Sequence, residues 1–287
     1  MPPLRLAVAG TDSTHTSDAL RLLNAERRIT GVRVVHLVAD PTPDALALAA
    51  SGGLASAQVA PVLPGAAVDG LLVLHRAGAD HVPAALLGLG AGLPVFVDKP
   101  FAATVTAAHA LLDRAEALGL SVTTRSALRF GAVPRRLRHD IGHAVPRGVS
   151  VHGPADLRAG AAGLAFYGIH VTELLHEVLG ELLDGGRSVA VDDVRAGPEQ
   201  LVAQGHCGEL AVRMVLHDRA ARIGGFRVVV NHDDRPEVVV PVPLNDDYLL
   251  PVLEHAVAVF RGAAPPGRRE LLAPLALLQE ISSRSPR

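Results

Sequence analysis

The chain has no tryptophan, one cysteine and one lysine in 287 residues. Each scarcity excludes something. The lone Cys207 leaves no intrachain disulfide framework and no thiolate-rich zinc site, so it is expected to be a small packed hydrophobe. No apolar run approaches the roughly 18 uncharged residues that a membrane span needs. The opening Met1-Pro2-Pro3-Leu4-Arg5 lacks the charged-then-apolar pattern of a secretory signal, and a soluble cytoplasmic protein is the expectation. A net charge of −2 without a basic run argues against nucleic acid or anionic membrane as the main partner and leaves a small molecule. With two tyrosines and no tryptophan, few rings are available to stack on a sugar or nucleobase.

The missing lysines say most. Lys99 is the only lysine among 27 basic residues; everywhere else arginine or nothing serves. Arginine suffices wherever a solvated positive charge is wanted. A lysine retained alone points to a task guanidinium cannot perform: an ammonium can lose proton affinity on burial and exchange protons near neutrality, whereas guanidinium stays charged.

The length fits one large or two modest domains. Leu4–Ala9 reads as a buried strand ending at Gly10, followed by a helix over Ser17–Leu23. Val32–Ala39 is a second strand closing on Asp40-Pro41, with a helix over Pro43–Ala50. The same grammar repeats as strand Val68–Leu74, helix His81–Gly90 and strand Pro94–Val97. Helical spacing over Thr104–Leu118 stops at Gly119 and feeds strand Leu120–Thr124. Such alternation predicts an α/β fold, a Rossmann-type doubly wound parallel sheet over residues 1–124. Residues 125–287 read as an α+β domain. It holds a strand at Val149–His152, a helix at Val171–Leu179, and an open, mainly antiparallel sheet over Glu209–Leu216, Ala221–Val230 and Glu237–Val242. Terminal helices follow over Asp246–Phe260 and Glu270–Ser282.

Four stretches carry candidate chemistry. The turn Gly10-Thr11-Asp12-Ser13-Thr14-His15 stands where a GxGxxG would approach a pyrophosphate, but only the first glycine is present. The alternative is a plain helix cap at Asp12 or Ser13. Asp40, at the end of the second strand, suits a ribose 2′-OH and disfavours a 2′-phosphate, hence NAD over NADP, though Asp-Pro is also an ordinary strand-ending turn. Asp98-Lys99-Pro100 sits at the carboxyl end of a parallel strand, the edge where open α/β sheets bind ligands. Finally, Tyr167-Gly168-Ile169-His170-Val171-Thr172-Glu173 opens a helix with His170 and Glu173 on one face, an imidazole orientable by a carboxylate. His170 and His176 are six residues apart and do not share a face, so no metal site is expected.

Taken in order, these elements resemble the Gfo/Idh/MocA (glucose-fructose oxidoreductase/inositol dehydrogenase) family across essentially the whole chain. The turn at Gly10, the strand–loop–His segment Val68–His81, Asp98-Lys99-Pro100 as a variant of Glu-Lys-Pro, Gly168–Glu173 as a Gly-x-His-x-x-acid element and the helix Leu271–Ile281 carry the likeness. The resemblance implies a nucleotide domain, a second domain whose sheet often supports a homodimer or homotetramer, and hydride transfer to or from a small hydroxyl, carbonyl or imine substrate in an interdomain cleft. It makes Lys99 and His170 the catalytic proton-transfer groups. It assigns NAD(H), less readily NADP, to Gly10, Thr11, Asp12, Ser13, Thr14, His15, Asp40, His75, Arg76, His81, Asp98, Lys99 and Pro100. Arg129, Asp156, Tyr167 and Glu173 are substrate-contact candidates. The chain departs from the family at Asp12 and His15, at Arg76-Ala77 where Thr-Pro is usual, and at Phe166 where inositol-type members carry aspartate. Those departures keep two other readings open: no cofactor at all, with a lyase, isomerase or cyclase on the same residues, or a non-catalytic sensor or accessory protein.

Overall fold

A computed structural model describes residues 3–221, 224–234 and 236–285 and divides the chain into two units. The first comprises Met1–Arg125 and Asp247–Leu271, the second Ser126–Asp246 and Leu272–Arg287. The sequence reading gave everything after residue 124 to the second domain. By packing, Asp247–Leu271 goes with the first. The physical reason is visible at Gly70, where a Cβ would lie 2.6 Å from the Phe260 ring, and at Thr123, whose hydroxyl meets His255 Nε2 at 2.7 Å.

In the first unit, β1 (Leu4–Ala9), β2 (Val32–Val38), β3 (Val59–Ala60), β4 (Gly70–Val73), β5 (Val95–Val97) and β6 (Val122–Thr123) form one sheet in the order β3-β2-β1-β4-β5-β6. Every pairing is parallel. A parallel sheet covered on both faces needs continuous apolar strands, and Leu6, Val8, Leu71, Leu72, Val95 and Phe96 are all at most 1 % exposed. The connecting helices are α1 (Thr14–Leu20, continued by a π-helical turn Arg21–Ala25), α2 (Pro43–Ser51), α3 (Gly78–Gly90) and α4 (Val105–Leu118). Their ends follow local chemistry: Ser13, Thr42 and Thr104 cap the first turns of α1, α2 and α4, and Gly119 ends α4 in the left-handed region at φ 65°. The reversal of strand order between β1 and β4 is the position at which doubly wound sheets open a crevice at their carboxyl ends.

The second unit contains α5 (Ala132–His143), β7 (Gly148–Ala155), α6 (Gly160–Leu179), β8 (Ala190–Ala196), β9 (Gln200–Cys207), β10 (Leu210–Asp218), β11 (Phe226–Asn231) and β12 (Val238–Val242). The sheet order is β12-β11-β7-β10-β9-β8, mixed, with only β7 and β10 parallel. Within the expected strand Ala221–Val230, residues 222–223 lie outside the described residues. α6 packs on β7 and β10 through glycines: a Cβ at Gly153 would meet Val171 at 2.8 Å and one at Gly168 would meet Leu216 at 2.7 Å. Cys207 is buried, as a packed thiol. The last helices are α7 (Leu250–Phe260), in the first unit, and α8 (Arg268–Arg284), which begins in the first unit and ends in the second. Among the described residues no helix is long and apolar enough to cross a membrane.

Candidate active site on the first sheet

Register brings three loops to one level. Ala9, Val73 and Val97 lie side by side across β1, β4 and β5. Leu74 N–H donates to Ala9 O at 2.7 Å and Asp98 N–H to Val73 O at 2.9 Å, so the chain leaves all three strands at the same edge. Gly10 is required by this convergence: its φ is 107°, and a Cβ there would stand 2.5 Å from the His75 backbone nitrogen.

Side chains then tie the loops together. Asp12 accepts from Arg76 N–H at 3.2 Å and lies 3.6 Å from His75 Nδ1. His81, fully buried on α3, sets Nδ1 2.6 Å from Pro100 O and Nε2 2.8 Å from His75 O, linking the β4 and β5 loops. His15 Nδ1 lies 2.7 Å from Asp98 Oδ2, with the two side chains 13 % and 4 % exposed. Tyr248, from the segment that returns to this unit, packs its ring 5.6 Å from that of His15 and donates to Asp18 Oδ2 at 3.4 Å. Burial and the Asp18 charge push the Tyr248 hydroxyl up to about 12, so it remains a donor.

Lys99 is at the centre of this arrangement and only 5 % exposed, and the Lys99–Pro100 peptide is cis. Burial lowers its proton affinity; Asp98 works against that shift and Arg76 reinforces it. Burial alone would raise the Asp98 carboxyl, but the charges of His15 and Lys99 and the His15 hydrogen bond overcome it and hold Asp98 well below the usual carboxylate range. Burial also lowers His75, against the pull of Asp12 and Asp80. A buried amine with lowered proton affinity beside an ionised carboxylate is an arrangement suited to proton transfer.

The expected nucleotide residues fit a dinucleotide in part. The strand order and its switch point are those of dinucleotide folds. Asp40 is exposed at the end of β2 and engages no other described side chain, which leaves its carboxylate for a ribose. Asp12, in the position of the second glycine, has its carboxylate bound to the neighbouring loop at Arg76 N–H, which offsets its charge. His15, in the position of the third, is turned to Asp98. Thr11 is exposed, Ser13 accepts from His15 N–H at 3.2 Å as the helix cap, and Thr14 begins α1.

The second unit places its candidates differently. α6 begins at Gly160, ten residues before His170, so His170 stands in mid-helix rather than at a helix start. His170 Nδ1 is 2.7 Å from Ser126 Oγ, and its ring meets Phe226 edge-on at 5.6 Å. Glu173 accepts from Arg129 Nη1 at 3.0 Å, while Arg129 Nε reaches Glu177 at 3.1 Å, all three side chains being 6 % exposed. Arg129 and Glu173 therefore hold the Ala127–Phe130 turn to α6. Tyr167 lies under Arg219, 4.2 Å from ring centroid to guanidinium carbon, and Asp156 follows β7 half-buried. Sequence reasoning also missed the cluster of His152, His217 and Arg227: Arg227 Nη2 lies 3.0 Å from His152 Nδ1, and Ser150 Oγ 2.9 Å from His152 Nε2. Among the described residues no group of three His, Cys, Asp or Glu side chains could hold a metal ion.

Residues 4–126 match the model of the Gfo/Idh/MocA oxidoreductase family, described as an NAD-binding Rossmann fold. Over that stretch the chain is similar to a family of oxidoreductases. No curated protein matches. Among solved structures, the chain is similar to an oxidoreductase from Agrobacterium radiobacter in complex with NAD+, L-tartaric acid and magnesium, at 12 % identity and a TM-score of 0.76, covering 98 % of this chain and 96 % of that one. It is similar to the myo-inositol dehydrogenase of Lactobacillus casei in complex with NAD(H) and myo-inositol, at 16 % identity and a TM-score of 0.75, covering 98 % and 94 %. A third is KijD10, a 3-ketoreductase from Actinomadura kijaniata in complex with NADP, at 16 % identity and a TM-score of 0.74, covering 99 % and 98 %. At these identities the likeness is one of fold, and it extends over both units.

Proposed function

We propose that this chain is an NAD(P)-dependent oxidoreductase acting on a small hydroxyl, carbonyl or imine substrate, with Lys99 and His170 as its proton-transfer groups. The observation that carries the reading is Lys99: the sole lysine, buried, beside an ionised Asp98, at the carboxyl edge of a Rossmann sheet. The three solved structures described above hold a nicotinamide nucleotide, two of them together with a polyhydroxylated ligand. A bound nicotinamide supplies or accepts the hydride. Asp40 would hold the adenosine ribose and favours NAD over NADP, and the loops of Gly10–His15, His75–Arg76 and Asp98–Pro100 would receive the rest.

Lys99 then holds the reacting oxygen, releasing a proton to it on reduction or taking one from it on oxidation; its lowered proton affinity brings both directions within reach. Ser126 fixes the ring of His170, whose imidazole is the second proton-transfer group. A cytoplasmic homodimer or homotetramer completes the reading. Asp12 and His15, standing in place of glycines, favour one other reading, a cofactor-independent lyase, isomerase or cyclase using the same lysine.

The test is turnover with NAD+ and NADP+ across polyols, hydroxy acids and sugar derivatives, followed by nicotinamide absorbance, beside Lys99→Arg. Turnover of one substrate class, reduced on the order of 10²–10⁴-fold in the variant, is expected. Equal rates in the two proteins would remove Lys99 from the reaction. Conversion of a substrate without change in the nicotinamide would move the assignment to the cofactor-independent reading.

A further inference from the structure

The mechanism uses Lys99, yet the short charged contact beside it, between His15 and Asp98, takes no part in that mechanism. His15 comes from the turn after β1 and Asp98 from the end of β5, two strands that β4 separates, so the contact spans the full width of the loop cluster. We propose that His15 is a positioning residue: by holding Asp98 through its Nδ1 hydrogen bond, it sets how much of the Asp98 charge acts on Lys99, and so sets the proton affinity of the lysine.

Two groups compete for one buried carboxylate, Lys99 next to it in sequence and His15 at 2.7 Å. With only 4 % of the Asp98 side chain exposed, water screens neither interaction well. A hydrogen bond from His15 draws negative charge toward the imidazole and away from the ammonium. If that bond is lost, Asp98 acts on Lys99 undivided and the lysine keeps its proton more firmly.

Other charged and titratable groups act on His15, Asp98 and Lys99. Arg76, after β4, opposes the Lys99 charge, and His81 on α3 also acts on Asp98. His75 is coupled to Asp12, Asp80 and His81. Tyr248 covers the His15 ring and directs its hydroxyl to Asp18. His15 and Lys99 are thus the two groups whose charges act most strongly on Asp98.

The single lysine makes the test direct and independent of cofactor and substrate, so it stands or falls apart from the oxidoreductase reading. An amine-acylating reagent labels only Lys99 and the chain terminus, which peptide mass spectrometry separates, and its rate against pH reports the free-amine fraction of Lys99. Four full-length proteins are compared: wild type, His15→Ala, Asp98→Asn and the double variant, with far-ultraviolet circular dichroism to verify folding. His15→Asn replaces His15→Ala if the latter does not fold. Near neutral pH, His15→Ala is expected to slow labelling of Lys99 by roughly threefold or more and Asp98→Asn to speed it. The double variant is expected to label like Asp98→Asn alone, because His15 acts only through Asp98. Unchanged labelling in His15→Ala would overturn the proposal. So would an equal slowing in both backgrounds, which is the mark of water entering a hole rather than of charge division.

Discussion

Both units bury charged side chains, and they do so on different structural elements. In the first, Asp98, Lys99 and His81 lie on or beside loops at the carboxyl edge of a parallel sheet, where partners come from three separate strands. In the second, Arg129, Glu173 and Glu177 form a buried ion-pair cluster in which two acids on consecutive turns of one helix clamp one guanidinium, with the exposed Arg138 3.7 Å from Glu177 at its edge. The first cluster leaves an amine with lowered proton affinity; the second gives each carboxylate a guanidinium partner. Burial alone therefore does not mark a functional group. What distinguishes Lys99 is burial in a setting that makes its charge costly to keep.

If that contrast is right, the two clusters respond in opposite ways to deletion. Arg129→Met leaves Glu173 and Glu177 buried without their shared cation and is expected to cost about 3–5 kcal/mol in the unfolding of the second unit, measured by urea denaturation. A loss below about 1 kcal/mol would mean that water already reaches the pair. Lys99→Met should do the reverse. It removes a buried ammonium while Asp98 keeps His15, so stability is expected to stay level or rise by about 1 kcal/mol as the proposed turnover disappears. Marked destabilisation by Lys99→Met would place the lysine among the structural ion pairs.

Two smaller effects sharpen the picture. Thr104→Ala removes the side chain that accepts from Ala107 N–H at the start of α4 and is expected to lower stability by about 1 kcal/mol in thermal melts. His152 supplies the pH dependence. Burial first, then the charges of Arg227, His217 and Arg213, push it down to about 4. The unfolded chain takes up this proton near pH 6.5, before the folded chain does. Stability therefore falls as pH drops from about 6.5 toward about 4, and the loss is modest because the ring is half-exposed. His152→Asn should flatten Tm across that window; an unchanged slope would assign the acid sensitivity to another group.

The local rules were enough for the first unit. Alternating apolar strands and helices and the Gly119 stop follow from short-range chemistry, and each is present at the expected place. Long-range partners were not legible. Nothing in the spacing of 83 residues between His15 and Asp98 indicates contact; only the side-by-side register of β1, β4 and β5 does. Arg129, the guanidinium partner of Glu173, stands 44 positions earlier, and no local spacing indicates that contact either. The extension of α6 to Gly160 was hidden because glycine reads as a breaker, whereas Gly168 is there to let the helix approach Leu216. The return of Asp247–Leu271 to the first unit has no local signature, since an amphipathic helix does not announce which sheet it covers.

The central claim is that the first unit receives a nicotinamide dinucleotide although its turn carries Asp12 and His15 in place of glycines. Calorimetric titration of the intact protein with NAD+, NADH and NADPH, repeated on Asp40→Ala, tests it most directly. The account predicts that NADH binds more tightly than NADPH, and that Asp40→Ala weakens NADH by about tenfold and narrows the difference between the two. No heat of binding from any of the three would contradict the account and leave Lys99 to chemistry without a nucleotide.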